Sequence, residues 1–161
     1  MSRDPSLDVG HIDHDDDLQG SDSHRSRLAA ALVDVPAAIY EEETAFWAAA
    51  LGIPPEVDSD YPEYASFGEA VPGLQFHVQR VHAAPRVHLD IETDDVEAEV
   101  RRLEALGAAR VSQIKTWWVL RDPAGLLFCV VRIQCPDAFE QGATRWWCDG
   151  PARRQGHARR R

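Results

Sequence analysis

Two short stretches, QFHVQ (75–79) and HLDIE (88–92), concentrate the side chains that could do chemistry. Successive side chains of a strand point to opposite faces. Gln75, His77 and Gln79 therefore share one face, and His88, Asp90 and Glu92 share one. An imidazole can ligate a metal or act as a general acid and base near neutral pH. A core chosen for packing alone would avoid this set, since each buried polar group needs a partner. His77, Gln79, His88 and Asp90 are therefore read as the wall of a ligand pocket, with His88 as the candidate catalytic residue. The alternative is a polar network in which His88 bonds Gln79 or Asp90 and only fixes the strands. Cys129, in LLFCVV, is either a soft metal ligand or a small hydrophobe on the face shared by Leu127 and Val131. Trp117 and Trp118 alternate, so one faces the pocket. Trp118 is taken as the ligand-facing one, a flat apolar wall.

These side chains need strands, and the surrounding pattern supplies them. LAAALVDV (28–35) reads as a strand rich in apolar and β-branched residues. A helix over 37–51 follows, with Ile39, Phe46, Trp47, Ala50 and Leu51 on one side and Gly52 as its stop. EYASFGEA and LQFHVQRV alternate like a hairpin with VPG in the turn. RVHLDIET is the next strand. The helix after it has Asp94 at the N-cap, Glu97 three residues on, and a stripe of Val96, Val100, Leu103 and Leu106 ending at Gly107. ARVSQI, TWWVLRD and LLFCVVRI are strand-like, with DPAG as a turn.

The two halves repeat. LVDV (32–35) aligns with HLDI (88–91) at an offset of 56, ALG (50–52) with ALG (105–107) at 55, and PGLQFHVQ (72–79) with AGLLFCVV (124–131) at 52. Such a repeat implies two similar βαβββ units, each too small to bury its sheet face alone. With RVHLDIETDD, RLEALGA and TWWVLRDPAGLLFCVV, this pairing resembles the vicinal oxygen chelate superfamily. That superfamily contains glyoxalase I, bleomycin-resistance proteins and extradiol dioxygenases, and the phrases are similar to its bacterial glyoxalase-like proteins. The resemblance covers about 28–135. It implies an α+β fold in which paired βαβββ units form a curled mixed sheet around a cavity, helices outside. It also implies metal ligands on the first and last strands of each unit. The matching positions are Leu32, His77, His88 and Cys129. Leucine cannot bind metal, and cysteine stands where glutamate is common. His77, His88 and Cys129 remain as a reduced candidate set for zinc, iron or manganese. With the set broken twice, no resident cofactor is expected.

Charge and composition narrow the rest. Residues 1–27 carry seven Asp against three Arg, 28–135 carry 17 acids against eight bases, and 136–161 carry six Arg against three acids. An acidic body repels nucleic acid phosphates and anionic lipid, so neither is expected as a partner. No apolar run reaches the ~20 residues of a membrane span. The three cysteines fit a reducing cytoplasm. The expected organisation is an acidic disordered tail (1–27), a glyoxalase-like domain with units 28–81 and 86–135, and an Arg-rich tail (136–161). Trp146 and Trp147 in that tail are costly to expose and should dock on the body or on a partner. The functional expectation is a protein that binds a small molecule, of the sequestration or resistance type, with room for a homodimer. The alternative is a metal-dependent lyase, isomerase or dioxygenase acting on a small oxygenated metabolite.

Overall fold

A computed structural model describes residues 23–147. In chain order they form β1 (Ser23–Pro36), a 3-10 turn (Ala37–Ile39), α1 (Tyr40–Leu51), β2 (Tyr64–Ser66), β3 (Gln75–Val81), β4 (Arg86–Thr93) and α2 (Val96–Ala105). β5 (Ala109–Ile114), β6 (Trp117–Arg121), β7 (Leu127–Arg132), α3 (Pro136–Gly142) and β8 (Thr144–Trp147) follow. One eight-stranded mixed sheet runs β2-β3-β1-β4-β7-β6-β5, with β8 pairing β1.

The repeat sets this order. β1 and β4, the first strands of the two units, run antiparallel at the centre, with Leu32 opposite His88. Each is flanked by the last strand of its own unit in parallel, β3 on β1 and β7 on β4. Unit one has one named strand fewer; an isolated Glu56–Ser66 bridge stands in its place. The hairpin expected around VPG is present, with Ala65 opposite Val78 and Ser66 opposite His77.

The sheet's outer face carries two cores. In one, Tyr40 of α1 packs with Val35, Ala65, Phe67 and Val78; in the other, Val100 of α2 packs with Leu120 and Val130. α1 stops at Gly52, whose φ of 68° is left-handed backbone that glycine adopts without a Cβ penalty. Two local expectations differ. The N-cap of α2 is Asp95, in extended backbone and accepting from the Ala98 N–H; Asp94 bonds Arg25 instead. Leu106 follows the last helical turn as C-cap and stays exposed, so the apolar stripe ends at Leu103.

The ordered fold reaches past both expected boundaries. β1 starts at Ser23, and its first four residues pair with β8, from Ser23 opposite Trp147 to Ser26 opposite Thr144. Glu99 of α2 explains why this extension is held. Fully buried, it accepts from His24 Nε2 (2.7 Å), Ser26 Oγ (2.9 Å) and both Nε and Nη2 of Arg102. Trp146 docks on the body as expected: its Nε1 donates to Ser26 Oγ and Arg102 stacks over its ring at 3.9 Å. Trp147 is exposed. α3 buries Phe139 completely, with the Arg25 guanidinium over its ring. The Asp-rich residues 1–22 and residues 148–161, Cys148 among them, lie outside the described residues.

Candidate functional site

The inner face of the sheet is the one opposite α1 and α2. Val33 and Val35 pack beneath α1, so Leu32 and Asp34 project inward from β1. By the same alternation β3 contributes Gln75, His77 and Gln79, and β4 contributes Arg86, His88, Asp90 and Glu92. β7 contributes Cys129, since Phe128 and Val130 pack under α2. The expected face-sharing of His77, Gln79, His88 and Asp90 is therefore observed. Cross-strand register then decides who meets whom. Leu32 lies between His77 and His88, Asp34 between Gln79 and Arg86, and Asp90 between Ala30 and Cys129.

The centre of the face is a chain of contacts through His88. Its Nδ1 lies 3.0 Å from Asp34 Oδ2, which also accepts from Arg86 Nε at 2.7 Å. An ionised carboxylate can only accept, so His88 Nδ1 carries the hydrogen. In the neutral ring Nε2 is then the lone pair, and it faces Asp90 Oδ1 at 3.6 Å, beyond hydrogen-bond range. One ring nitrogen of His88, an oxygen of the Asp90 carboxylate and Cys129 Sγ lie within 4.8 Å of one another.

Burial drives the acidities apart. It presses the Asp34 carboxyl upward, but the bonds from His88 and Arg86 more than offset it and hold Asp34 below its ordinary value. Burial raises the Asp90 carboxyl, and the nearby His88 and the bond from the Cys129 thiol offset that only in part. The Cys129 thiol is raised by burial and then by the Asp90 charge. Tyr64, whose hydroxyl accepts from Gln79 Nε2 at 2.9 Å, is pushed up to about 12 by burial, by Glu63 and by Asp90.

Two candidate residues, His77 and Trp118, stand elsewhere, as does Glu92. His77 does not join the group: its Nε2 is 3.0 Å from Gln75 Oε1, and Gln75 in turn donates to Cys135 Sγ. Burial lowers the His77 pKa. Trp118 packs in the outer core with its Nε1 on Glu97 Oε1, so the inward tryptophan of the pair is Trp117. The pleat parity is set by Leu120 and Val130, both in the outer core, and Trp118 shares it. Glu92 is structural. It accepts from Arg27 Nε and from the backbone N–H groups of Gln134 and Cys135, tying the strap between β7 and α3 across the inner face.

Asp34, Arg86 and Tyr64 were missed by the sequence reading. Asp34 had a signal, because the 56-residue offset makes it the repeat mate of Asp90. Arg86 had one too, standing two residues before His88 on the same strand face. A surface cleft between the start of α2 and Gln113, Lys115 and Thr116 is separate from this group and wide open.

The sequence pattern of the glyoxalase-like domain matches residues 30–131. The chain belongs to the glyoxalase-like domain family. Its symmetric pair of units is the architecture of the vicinal oxygen chelate superfamily, which includes this family. No curated protein matches this glyoxalase-like chain. Among solved structures it is similar to hypothetical protein BH1468 from Bacillus halodurans C-125, at 12% identity over 68% of this chain and 97% of that one, with a TM-score of 0.51. It is also similar to methylmalonyl-CoA epimerase from Streptomyces coelicolor (14% identity, 68% and 98% covered, TM-score 0.47). A variant of 4-hydroxymandelate synthase from Streptomyces coelicolor is a third (18% identity, 66% and 48% covered, TM-score 0.45), and the chain spans about half of it.

Proposed function

We propose that this glyoxalase-like chain binds a small oxygen-bearing molecule on the inner face of its sheet, against His77, Gln79, His88 and Asp90, as a sequestering protein. The observation that carries this reading is a set of buried polar atoms without partners on that one face: Asp34 Oδ1, Asp90 Oδ1 and His77 Nδ1. Each unmatched group costs about 1–3 kcal/mol, a penalty that a hydroxyl- or amide-bearing ligand relieves on binding. A screen of small oxygenated metabolites by ligand-observed NMR tests it. His88→Ala and His77→Ala should each weaken a hit about tenfold or more, with a smaller effect on folding, whereas Trp118→Ala should leave affinity unchanged. Binding that survives both histidine changes would end the reading.

The alternative, a metal-dependent lyase, isomerase or dioxygenase, needs a cation. The superfamily's ligand positions do not supply a set here, since Leu32 has no donor and His77 is turned to Gln75. Two further expectations stay with the proposal. Free Cys129 and Cys135 support a reducing cytoplasm. Leu28, Val87 and Leu89, exposed on the outer face of the two central strands, support a homodimer, which light scattering after size exclusion would detect as twice the 18.0 kDa mass. No helix among the described residues is long and apolar enough to cross a membrane.

A further inference from the structure

We infer that the ligand of the inner face is recognised by its hydrogen-bond donors: an amino alcohol whose ammonium pairs with Asp90 and whose hydroxyls reach His77 Nδ1 and Asp34 Oδ1. Gln75 and Cys135 are then positioning residues, which hold the His77 ring in the accepting tautomer. This rests on the small-molecule reading above and narrows it to one ligand class, against carboxylates and phosphates.

The sense of each bond follows from a chain that starts on the strap between β7 and α3. Two backbone N–H groups there, from Gln134 and Cys135, donate to buried Glu92 and fix the strap. Cys135 Sγ accepts from Gln75 Nε2. The amide is thereby oriented with Oε1 toward His77 Nε2, 3.0 Å away. A carbonyl oxygen only accepts, so Nε2 carries the ring hydrogen. In the neutral ring Nδ1 is then a lone pair, and it is buried with no partner.

The other unmatched atoms of the site have the same sense. Asp34 is 0% exposed; its Oδ2 takes His88 and Arg86, and its Oδ1 takes nothing. Asp90 is 8% exposed; the Cys129 thiol donates to its carboxylate, yet Oδ1 has no partner. His77 Nδ1, Asp34 Oδ1 and Asp90 Oδ1 are therefore all acceptors. An O–H or N–H relieves each of them, whereas a carboxylate or phosphate sets a further acceptor against them. Charge points the same way. Arg86 pairs with Asp34 at 2.7 Å and Arg27 with Glu92 at 2.6 Å. Among the described residues that leaves Asp90 with His88 but no arginine or lysine, so a cationic nitrogen completes the site. The face does hold one unmatched donor, Arg27 Nη2, but it stands at the far end, where Gly73 and Gly142 approach the guanidinium.

The test uses the full chain with chelator present and probes of one carbon skeleton: serinol, glycerol and glycerate, which carry an ammonium, a hydroxyl and a carboxylate. By ligand-observed NMR serinol should bind about tenfold or more tighter than glycerol, as bonds between charged groups allow, and glycerate more weakly than either. Asp90→Asn should erase the difference between serinol and glycerol while circular dichroism shows the fold intact. Nitrogen NMR of the histidine rings in the ligand-free chain should place the His77 proton on Nε2. Gln75→Leu should mix the two tautomers and weaken serinol, whereas Cys135→Ser, which keeps an acceptor, should preserve both readouts. This ligand class is overturned if His77 carries its proton on Nδ1, if glycerate binds as tightly as serinol, if Asp90→Asn keeps the serinol advantage, or if serinol binds only with added divalent metal. Acids that bind through His77 and His88 in the broader screen would sink the ligand class and leave the small-molecule reading standing. A screen without any hit sinks both.

Discussion

At the scale of single residues, buried carboxylates on both faces of the sheet meet different fates. Glu99 is fully buried on the outer face, where burial alone would raise its pKa. Bonds from Arg102, then His24 and Ser26, hold it below its ordinary 4.5. Because the folded value lies below the unfolded one, its contribution to stability is complete above about pH 4.5. That contribution is lost as pH falls through the folded value. Urea melts from pH 7 down to 3 should therefore show Glu99→Gln less stable at pH 7 but with a shallower acid decline; Asp34, lowered in the same way from 3.8, keeps part of that decline. An equally steep decline in both proteins would show that Glu99 is not a main source of it. The sequence marked His88 and Asp90 through strand alternation. It could not mark which oxygen faces which nitrogen, because that depends on cross-strand register.

At the scale of elements, capping and pleat parity are the points of correction. The start of α2 turned on a choice between adjacent aspartates. Asp95 occupies extended backbone and reaches the Ala98 N–H, so Asp95→Ala should cost about 1 kcal/mol by chemical denaturation, as N-cap losses do. Asp94→Ala should cost less, since its partner Arg25 is solvent-accessible and also holds Glu140. The reverse ranking would restore Asp94 to the cap. Trp117 and Trp118 were identical as letters, and only the packing of Leu120 and Val130 under α2 assigns their faces. Composition also hid α3 and β8 inside a stretch that read as a charged tail. The apolar anchor of α3 is Phe139, which is 0% exposed, while β8 is held by its pairing with β1 and by Trp146. Phe139→Ala should cost about 3–5 kcal/mol if the extension folds as part of the domain, and almost nothing if it is only a tail.

At the scale of the whole molecule, the internal repeat carried the most information. Offsets of 52 to 56 residues predicted paired units, and β1 against β4 at the centre of one sheet is the physical form of that pairing. Neither unit can bury its sheet face alone, so the pattern that makes each half amphipathic also makes the halves pair. Alternation likewise determined from sequence that His77, Gln79, His88 and Asp90 share a face, because the period of a strand is two wherever it sits. The tertiary structure alone decided the partners. In unit one the parallel pair sets Leu32 beside His77, whereas in unit two it sets Asp90 beside Cys129. The equal spacing of the repeat would have put His88, the mate of Leu32, beside Cys129. This two-residue difference in register draws Asp90 into the cluster and leaves His77 to Gln75. Alternation is a local property of each strand. Register is fixed by turns, bulges and packing contributed by the whole chain.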